Sequence, residues 1–245
     1  MKSICFFVLS LLLFNCQKKT TNCDAIQHAY ASTNGPVTIG DTIKIHTQEV
    51  GGYRLYSWRG PNYFTSQEPR NIIYDAELKH EGWYYVTISN NECYGKADSV
   101  YVDVKLKQGT PPCSIPNNTC EINNQFSDAY SSVVKQFNPT TDFLMLEGRG
   151  PSSLEIDFHP YWKTKEPEDG IYDTVDIPSF GIDGNYNKVF ISTVKSNIYF
   201  SCRENQKVYV SHVNGKLQVR FCNLTMGGYN GYSFTTIASG NLIQQ

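Results

Sequence analysis

One run of residues in this chain has the types and spacing of an acid–base site, namely Glu155-Ile156-Asp157-Phe158-His159. Alternate side chains of a β-strand share a face, so both carboxylates and the imidazole would lie together. Such a set could bind a metal ion, or the two carboxylates could act as the acid and base of a glycan hydrolase. A half-buried strand gives the same alternation, with the intervening apolar residues facing the core. We therefore assign no catalytic residue and keep hydrolysis by Glu155 and Asp157 as an alternative function.

Three other kinds of site lack residues that their chemistry requires. The segment 183–187 begins like a calcium-binding EF-hand loop, but Lys188 stands where glycine is needed and Val194 where a glutamate is needed. The sequence contains no Gly-x-Ser-x-Gly motif, and its five histidines are scattered. It also contains no Cys-x-x-Cys or His-x-x-x-His pair of the kind that binds zinc. The sequence thus predicts no metal site, no cofactor and no enzymatic activity.

Aromatic side chains in loops are the best candidates for ligand binding, because flat rings stack on the faces of sugars. Tyr161 and Trp162 follow the end of a strand, and Tyr186 and Tyr229 lie in other loops. Loops carry functional residues more often than sheet faces do. We expect these four residues to bind a glycan if the fold brings them together. The alternative is that they pack beneath the loops.

The composition indicates the elements that must position these residues. The chain has 245 residues, including 17 tyrosines and 13 phenylalanines, and short alternating runs of Tyr, Val, Ile, Thr and Phe are typical of β-strands. Its length fits one large or two small domains. The 21 basic and 23 acidic residues nearly balance, and no basic block occurs. Nucleic acid is therefore not an expected partner.

Residues 23–105 carry the pattern of a β-sandwich. A tryptophan, Trp58, ends one strand, and Gly82-Trp83-Tyr84 is similar to a tyrosine corner, in which the tyrosine hydroxyl bonds to nearby backbone. These features resemble an immunoglobulin (Ig)-like domain. Its usual cysteine positions hold Val86 and an isoleucine, so aliphatic packing must replace the inter-sheet disulfide. The segment 57–64 further resembles the W-x-G-P-x-x-F turn of Ig-like or PKD-like modules of Bacteroidetes surface proteins, which implies a spacer or a binding platform.

A linker and a second β domain follow. Glycine and paired prolines in residues 106–112 predict a short, semi-rigid linker. Residues 113–245 predict an antiparallel β-sandwich or barrel of about seven or eight strands. Asn214-Gly215 between two alternating runs predicts a hairpin with a type I′ turn. The spacing of Tyr130, Val133, Val134 and Phe137 favours one helix, over 128–137. The fold class is therefore all-β, with an Ig-like sandwich followed by the second domain.

The N-terminus predicts export. Lys2 precedes an apolar run that is too short to span a bilayer, which is typical of a signal peptide over residues 1–15. Cys16 at its end resembles the acylated cysteine in the lipobox of bacterial lipoproteins, although Phe14 and Asn15 replace the usual small residues. The resemblance implies a lipid anchor at Cys16, a tether over 16–22 and a location in the cell envelope at the outer membrane, facing the periplasm or the surface. Ordinary cleavage near Thr20 is the alternative.

Beyond residue 16 the chain has six cysteines, and an even number in an exported protein predicts disulfides, here three. The six candidates are Cys23, Cys93, Cys113, Cys120, Cys202 and Cys222. Cys23 and Cys93 flank the first domain and are expected to pair. Cys202 and Cys222 read as residues of next-but-one strands, which lie about 9.6 Å apart, and bridged Cα atoms rarely exceed about 7 Å. We therefore expect each of these two to pair with Cys113 or Cys120.

Three short segments resemble the Asp-Ser/Thr-apolar motif for O-glycosylation of Bacteroidetes envelope proteins: 41–43, 98–100 and 173–175. The alternative is structural, because an aspartate followed by threonine at the start of a strand gives the same short sequence without glycosylation.

The leading functional hypothesis is a lipid-anchored, non-enzymatic envelope protein. Its Ig-like spacer would present the second domain for binding of a glycan or another envelope protein. Besides the hydrolase, a structural accessory subunit of a surface complex is an alternative.

Overall fold

The structure is a computed structural model that describes residues 28–49, 55–90, 93–123, 125–138, 143–176 and 186–245. The predicted signal peptide, Cys16 and Cys23 lie outside these residues. The described residues form twenty strands and two short 3₁₀ turns, 78–80 and 160–164. This confirms the all-β prediction.

The first nine strands form an N-terminal sandwich. They are β1 (Ser32–Thr33), β2 (Val37–Thr38), β3 (Ile43–His46), β4 (Leu55–Arg59), β5 (Thr65–Ser66), β6 (Arg70–Ile73), β7 (Gly82–Ser89), β8 (Asp98–Val102) and β9 (Val104–Lys105). One sheet has the order β1-β3-β6 and the other the order β5-β4-β7-β8, while β2 pairs in parallel with β9. This order corresponds to the A-B-E and C′-C-F-G sheets of an Ig sandwich.

Alternation places the apolar residues of these strands between the two sheets. Ile43 and Ile45 of β3 and Trp58 and Val86 of the facing sheet are at most 1% exposed. The predicted aliphatic replacement for the inter-sheet disulfide is thus present. Tyr84 is fully buried, and its hydroxyl donates a hydrogen bond to the carbonyl of His80 at 3.0 Å. The tyrosine corner is therefore confirmed.

The other eleven strands form one large sheet. They are β10 (Thr119–Ile122), β11 (Phe126–Ala129), β12 (Ser132–Asn138), β13 (Phe143–Arg149), β14 (Ser153–Phe158), β15 (Gly170–Thr174), β16 (Lys188–Lys195), β17 (Ile198–Cys202), β18 (Lys207–Val213), β19 (Lys216–Tyr229) and β20 (Ser233–Ile243). Their order is β11-β10-β20-β19-β18-β15-β16-β14-β13-β12, with β17 between β16 and β19. The predicted Asn-Gly hairpin joins β18 to β19, with positive φ at both turn residues.

This sheet is larger than predicted and is mixed rather than purely antiparallel, because β15 runs parallel to β16. The sheet also divides into two branches at β16. One side of β16 pairs with β14, and the other side pairs with β15 at its first residues and with β17 at its last residues. The sheet curls so that its ends approach, and the Gln245 N–H donates to the carbonyl of Val133 at 3.1 Å.

The predicted helix over 128–137 is wrong. That segment holds the end of β11 and most of β12, and β12 pairs with β13 over seven residues. The spacing of its apolar residues fits a helix as well as a strand, and the ladder to β13, the next strand along the chain, decides between them.

The cysteines follow the prediction in part. Cys113 and Cys222 are bonded, and Cys93 is buried and disulfide-bonded, while its predicted partner Cys23 lies outside the described residues. The predicted second disulfide of the large sheet is wrong, because Cys120 and Cys202 are free thiols. Burial raises the pKa of both thiols to about 12, which keeps them protonated and unreactive.

Cys202 has a different role from the predicted one. Its sulfur lies beside Ile191, between the part of β16 that pairs with β15 and the part that pairs with β17. The sulfur accepts a hydrogen bond from the Ile191 N–H at 3.2 Å, and the thiol donates one to the carbonyl of Val175 at 3.5 Å. The thiol therefore satisfies buried backbone groups at the division of the sheet.

Among the described residues, no strand of the N-terminal sandwich pairs with the large sheet. The predicted linker nevertheless packs against the large sheet. The Ile171 N–H donates to the Lys107 carbonyl at 2.8 Å, and the Gln108 amide donates to the Asp169 carbonyl at 2.8 Å. Leu106 is 2% exposed. The linker thus places one end of the sandwich against the start of β15.

Candidate ligand-binding site

The loop that follows β14 holds two of the predicted ligand-binding residues. Pro160 is the first residue of the 3₁₀ turn, where its fixed φ suits helical geometry and its missing N–H is not needed. His159 caps this turn, because its Nδ1 accepts a hydrogen bond from the Tyr161 N–H at 3.1 Å. The cap and the proline together fix the direction in which Tyr161 and Trp162 leave the sheet.

Trp162 anchors this loop to the core. It is 1% exposed, and its indole N–H donates a hydrogen bond to the carbonyl of Tyr186 at 2.7 Å. Its ring packs edge-on against Tyr161, with centroids 4.9 Å apart. Trp162 therefore positions the loop and offers no ring to a ligand.

Tyr161 and Tyr186 form a parallel stack. Their ring centroids are 4.3 Å apart and their planes differ by 1°. The Lys165 ammonium donates a hydrogen bond to the Tyr161 hydroxyl at 2.7 Å and lies 4.5 Å from the centre of that ring. This hydrogen bond raises the pKa of Lys165. The stack therefore presents mainly polar groups, a hydroxyl and an ammonium, and little uncovered ring surface.

The N-terminal sandwich adds two exposed rings next to this loop. Trp83 of β7 and Tyr101 of β8 are directly paired, with centroids 5.4 Å apart in an edge-to-face arrangement. Trp83 is 52% exposed and Tyr101 42%. The Tyr101 hydroxyl donates to Oε1 of Glu81 at 2.9 Å. Burial and Glu81 raise the pKa of Tyr101 to about 12, and Tyr161 lies close enough to contribute.

We call Glu81, Trp83, Tyr101, Tyr161 and Lys165 the junction cluster, because they come from both parts of the chain and are close enough for Tyr161 to affect the pKa of Tyr101 and for Glu81 to affect that of Lys165. Charges of both signs surround it. Glu81 also contributes to the pKa of Lys165 and of Glu168, and Lys105 forms an ion pair with Asp103 at 2.9 Å. No single sign dominates, so the cluster lacks the field that would attract a highly charged polymer.

Tyr229, the fourth predicted residue, does not join the others. It is 59% exposed and pairs with Tyr199 of β17, which in turn lies opposite Val194 near the end of β16. The loop with Tyr161 follows Phe158, which pairs with Val189 at the start of β16. Tyr229 is thus at the other end of this strand.

The predicted acid–base run is only partly assembled. Glu155 and Asp157 lie in β14, but His159 lies beyond its end and caps the 3₁₀ turn. Asp157 is 9% exposed, and burial, followed by the charge of Glu155, raises its pKa to about 7. Within the part of the chain that is described, no three metal-ligating side chains converge. The segment 183–187, which begins like a calcium-binding loop but lacks residues that such a loop requires, lies mostly outside the described residues.

The three possible glycosylation residues differ in exposure. Thr174 is fully buried and its hydroxyl donates to the carbonyl of Arg203. A sugar cannot be attached there in the folded chain. Thr42 and Ser99 are partly exposed.

Comparison with known proteins gives no family. No protein-family model and no curated protein matches the chain. Among solved structures, the chain is similar to the crystal structure of murine CEACAM1b, with 9% identity and a TM-score of 0.27, over 89% of this chain and 99% of that chain. A likeness at this level carries no argument about function. Within the described residues, no helix is long and apolar enough to cross a membrane.

Trp83 and Tyr101 were not predicted as site residues. From sequence, Trp83 is part of the motif that is similar to a tyrosine corner. Their outward position follows from the alternation with buried Tyr84 and Val102. Large aromatic residues at outward positions of paired strands were the available signal.

Proposed function

We propose that this protein is a lipid-anchored protein of the cell envelope that binds a glycan without altering it. The observation that carries this proposal is the capped loop after β14, in which buried Trp162 holds Tyr161 against Tyr186, 25 positions further along the chain, and beside the Lys165 ammonium. Binding sites need side chains held in fixed positions, and these rings are fixed by packing and hydrogen bonds.

The chemistry of the loop suits a sugar. A pyranose has apolar C–H faces that pack on aromatic rings and hydroxyl groups that exchange hydrogen bonds with charged and polar side chains. The Tyr161 hydroxyl and the Lys165 ammonium supply polar partners side by side. The anchor would be Cys16, which lies outside the described residues. Palmitate labelling that is lost in Cys16→Ala supports the anchor, and labelling that persists contradicts it.

Binding is tested with residues 23–245, which include every described residue. Calorimetric titration with neutral hexasaccharides of glucose, xylose and mannose should reveal at least one ligand. Tyr161→Ala and Lys165→Ala should each weaken its binding about tenfold, because each removes a hydrogen-bonding group to the ligand. Tyr229→Ala is the matched control, since that tyrosine lies elsewhere and should not affect binding. Equal loss in the control would contradict the assigned site.

A hydrolase remains the second candidate because of one observation, the raised pKa of Asp157 beside Glu155. A carboxyl group that is protonated near neutral pH can act as a general acid, and a neighbouring carboxylate can act as base or nucleophile. Release of shorter sugars from the bound hexasaccharide, abolished by Asp157→Asn and by Glu155→Gln, would establish this function. Recovery of the intact hexasaccharide favours binding alone.

A further inference from the structure

The Tyr161 loop lacks an uncovered ring of its own. Trp162 is buried, one face of Tyr161 is covered by Tyr186, and Lys165 lies over the same ring. A sugar bound to this loop alone would therefore find polar partners but little aromatic surface.

The N-terminal sandwich supplies what the loop lacks. Trp83 and Tyr101 are half exposed on the outer face of their sheet. Gly82, at φ +138°, precedes Trp83, and a Cβ atom on it would lie 2.8 Å from the Pro61 side chain, so only glycine suits this position at the start of β7. The bond from Tyr101 to Glu81 holds the second ring. The ring contact and this hydrogen bond together position both rings on the sandwich.

The relative placement of the two parts is also fixed. Hydrogen bonds from Ile171 to Lys107 and from Gln108 to Asp169 join the segment that follows β9 to the start of β15. A Cβ atom on Gly109 would lie 2.8 Å from the Ile171 side chain, and one on Gly170 would lie 2.4 Å from Leu106. The two glycines therefore permit a close approach that larger residues would prevent.

From these observations we infer that the glycan site is composite. The N-terminal sandwich contributes the stacking rings Trp83 and Tyr101, and the large sheet contributes the polar pair Tyr161 and Lys165. The sandwich is thus half of the site rather than a spacer. The ligand class is a neutral oligosaccharide of several pyranose units, because it must reach both parts and because the surrounding charges are of mixed sign. This inference rests on the proposed function.

The tryptophans of the chain offer a direct test. There are three, and Trp58 and Trp162 are each 1% exposed, whereas Trp83 is 52% exposed. Quenching of tryptophan fluorescence by acrylamide therefore reports mainly on Trp83. In residues 23–245, a saturating neutral hexasaccharide should reduce the quenching constant at least about twofold and shift the emission to shorter wavelength, because the sugar shields an exposed ring. Unchanged quenching by a hexasaccharide that binds would overturn the composite site.

Variants separate this inference from the proposed function. Trp83→Ala should weaken hexasaccharide binding about tenfold or more, and Trp83→Phe, which keeps a ring, should restore part of it. Tyr85→Ala is the matched control, because Tyr85 is 54% exposed on the same face of β7 but lies outside the junction cluster. If Tyr161→Ala weakens binding and Trp83→Ala does not, the composite site is wrong and the proposed function stands. If no neutral hexasaccharide binds at millimolar concentration, both are wrong.

Discussion

Asp157→Asn should make the protein more stable at pH 8 but not at pH 4. Asp157 is nine-tenths buried, and its pKa is raised from 3.8 to about 7, chiefly by burial. Between pH 3.8 and about pH 7, the Asp157 carboxyl group has lost its proton in the unfolded chain but keeps it in the folded chain. Rising pH therefore favours unfolding across this range, and the loss of stability is complete once the pH exceeds the pKa of Asp157 in the folded chain.

The size of this effect follows from the shift. A difference of about three units, at about 1.4 kcal/mol each, amounts to about 4 kcal/mol of unfolding free energy lost between pH 4 and pH 8. Asparagine has a similar shape and no ionisable group, so Asp157→Asn should not show this loss. Its free energy of unfolding relative to the wild type should thus rise by up to about 4 kcal/mol over the same pH range.

Urea denaturation of residues 23–245 at pH 4 and pH 8, followed by circular dichroism, measures this difference. Glu121→Gln is the control, because Glu121 is an exposed carboxylate on the same sheet. Its stability should follow that of the wild type at both pH values. If Asp157→Asn and the wild type lose equal stability between pH 4 and pH 8, then burial does not raise the pKa of Asp157 as described.

Two other variants test the fold. Replacing Cys113 and Cys222 by serine removes a crosslink between residues 109 positions apart, which chain-entropy models value at about 4–5 kcal/mol; an unchanged urea midpoint under oxidising conditions would contradict this. Tyr84→Phe removes the hydrogen bond to His80 and should lower the free energy of unfolding by about 1 kcal/mol, whereas Tyr85→Phe, at an exposed position, should not. Equal urea midpoints for these two variants would contradict the role of the tyrosine corner.

Local patterns predicted the elements that local chemistry determines. The tyrosine corner, buried Trp58 and the Asn214-Gly215 hairpin all follow from residue type and alternation within a few positions. The segment 128–137 shows where such patterns fail, because its apolar spacing fits both a helix and a strand. Only the pairing with β13 selects the strand.

Long-range contacts determined the rest. Cys202 is a free thiol, and its sulfur binds backbone groups of Ile191 and Val175, which the division of the large sheet brings close to it. Similarly, the loop aromatics could be named from sequence, but their convergence and the contribution of Trp83 could not. The first depends on packing between residues 24 and 25 positions apart, and the second on the placement of Trp83, which lies 78 positions before Tyr161.

Glycan binding without turnover is tested most directly by titrating residues 23–245 with the neutral hexasaccharides while monitoring the fluorescence of Trp83, and then determining the chain length of the recovered sugar. We expect saturable binding, shielding of Trp83 and recovery of the intact hexasaccharide. If none of these sugars binds, or if shorter products are recovered, the proposal of a non-enzymatic glycan-binding protein is contradicted.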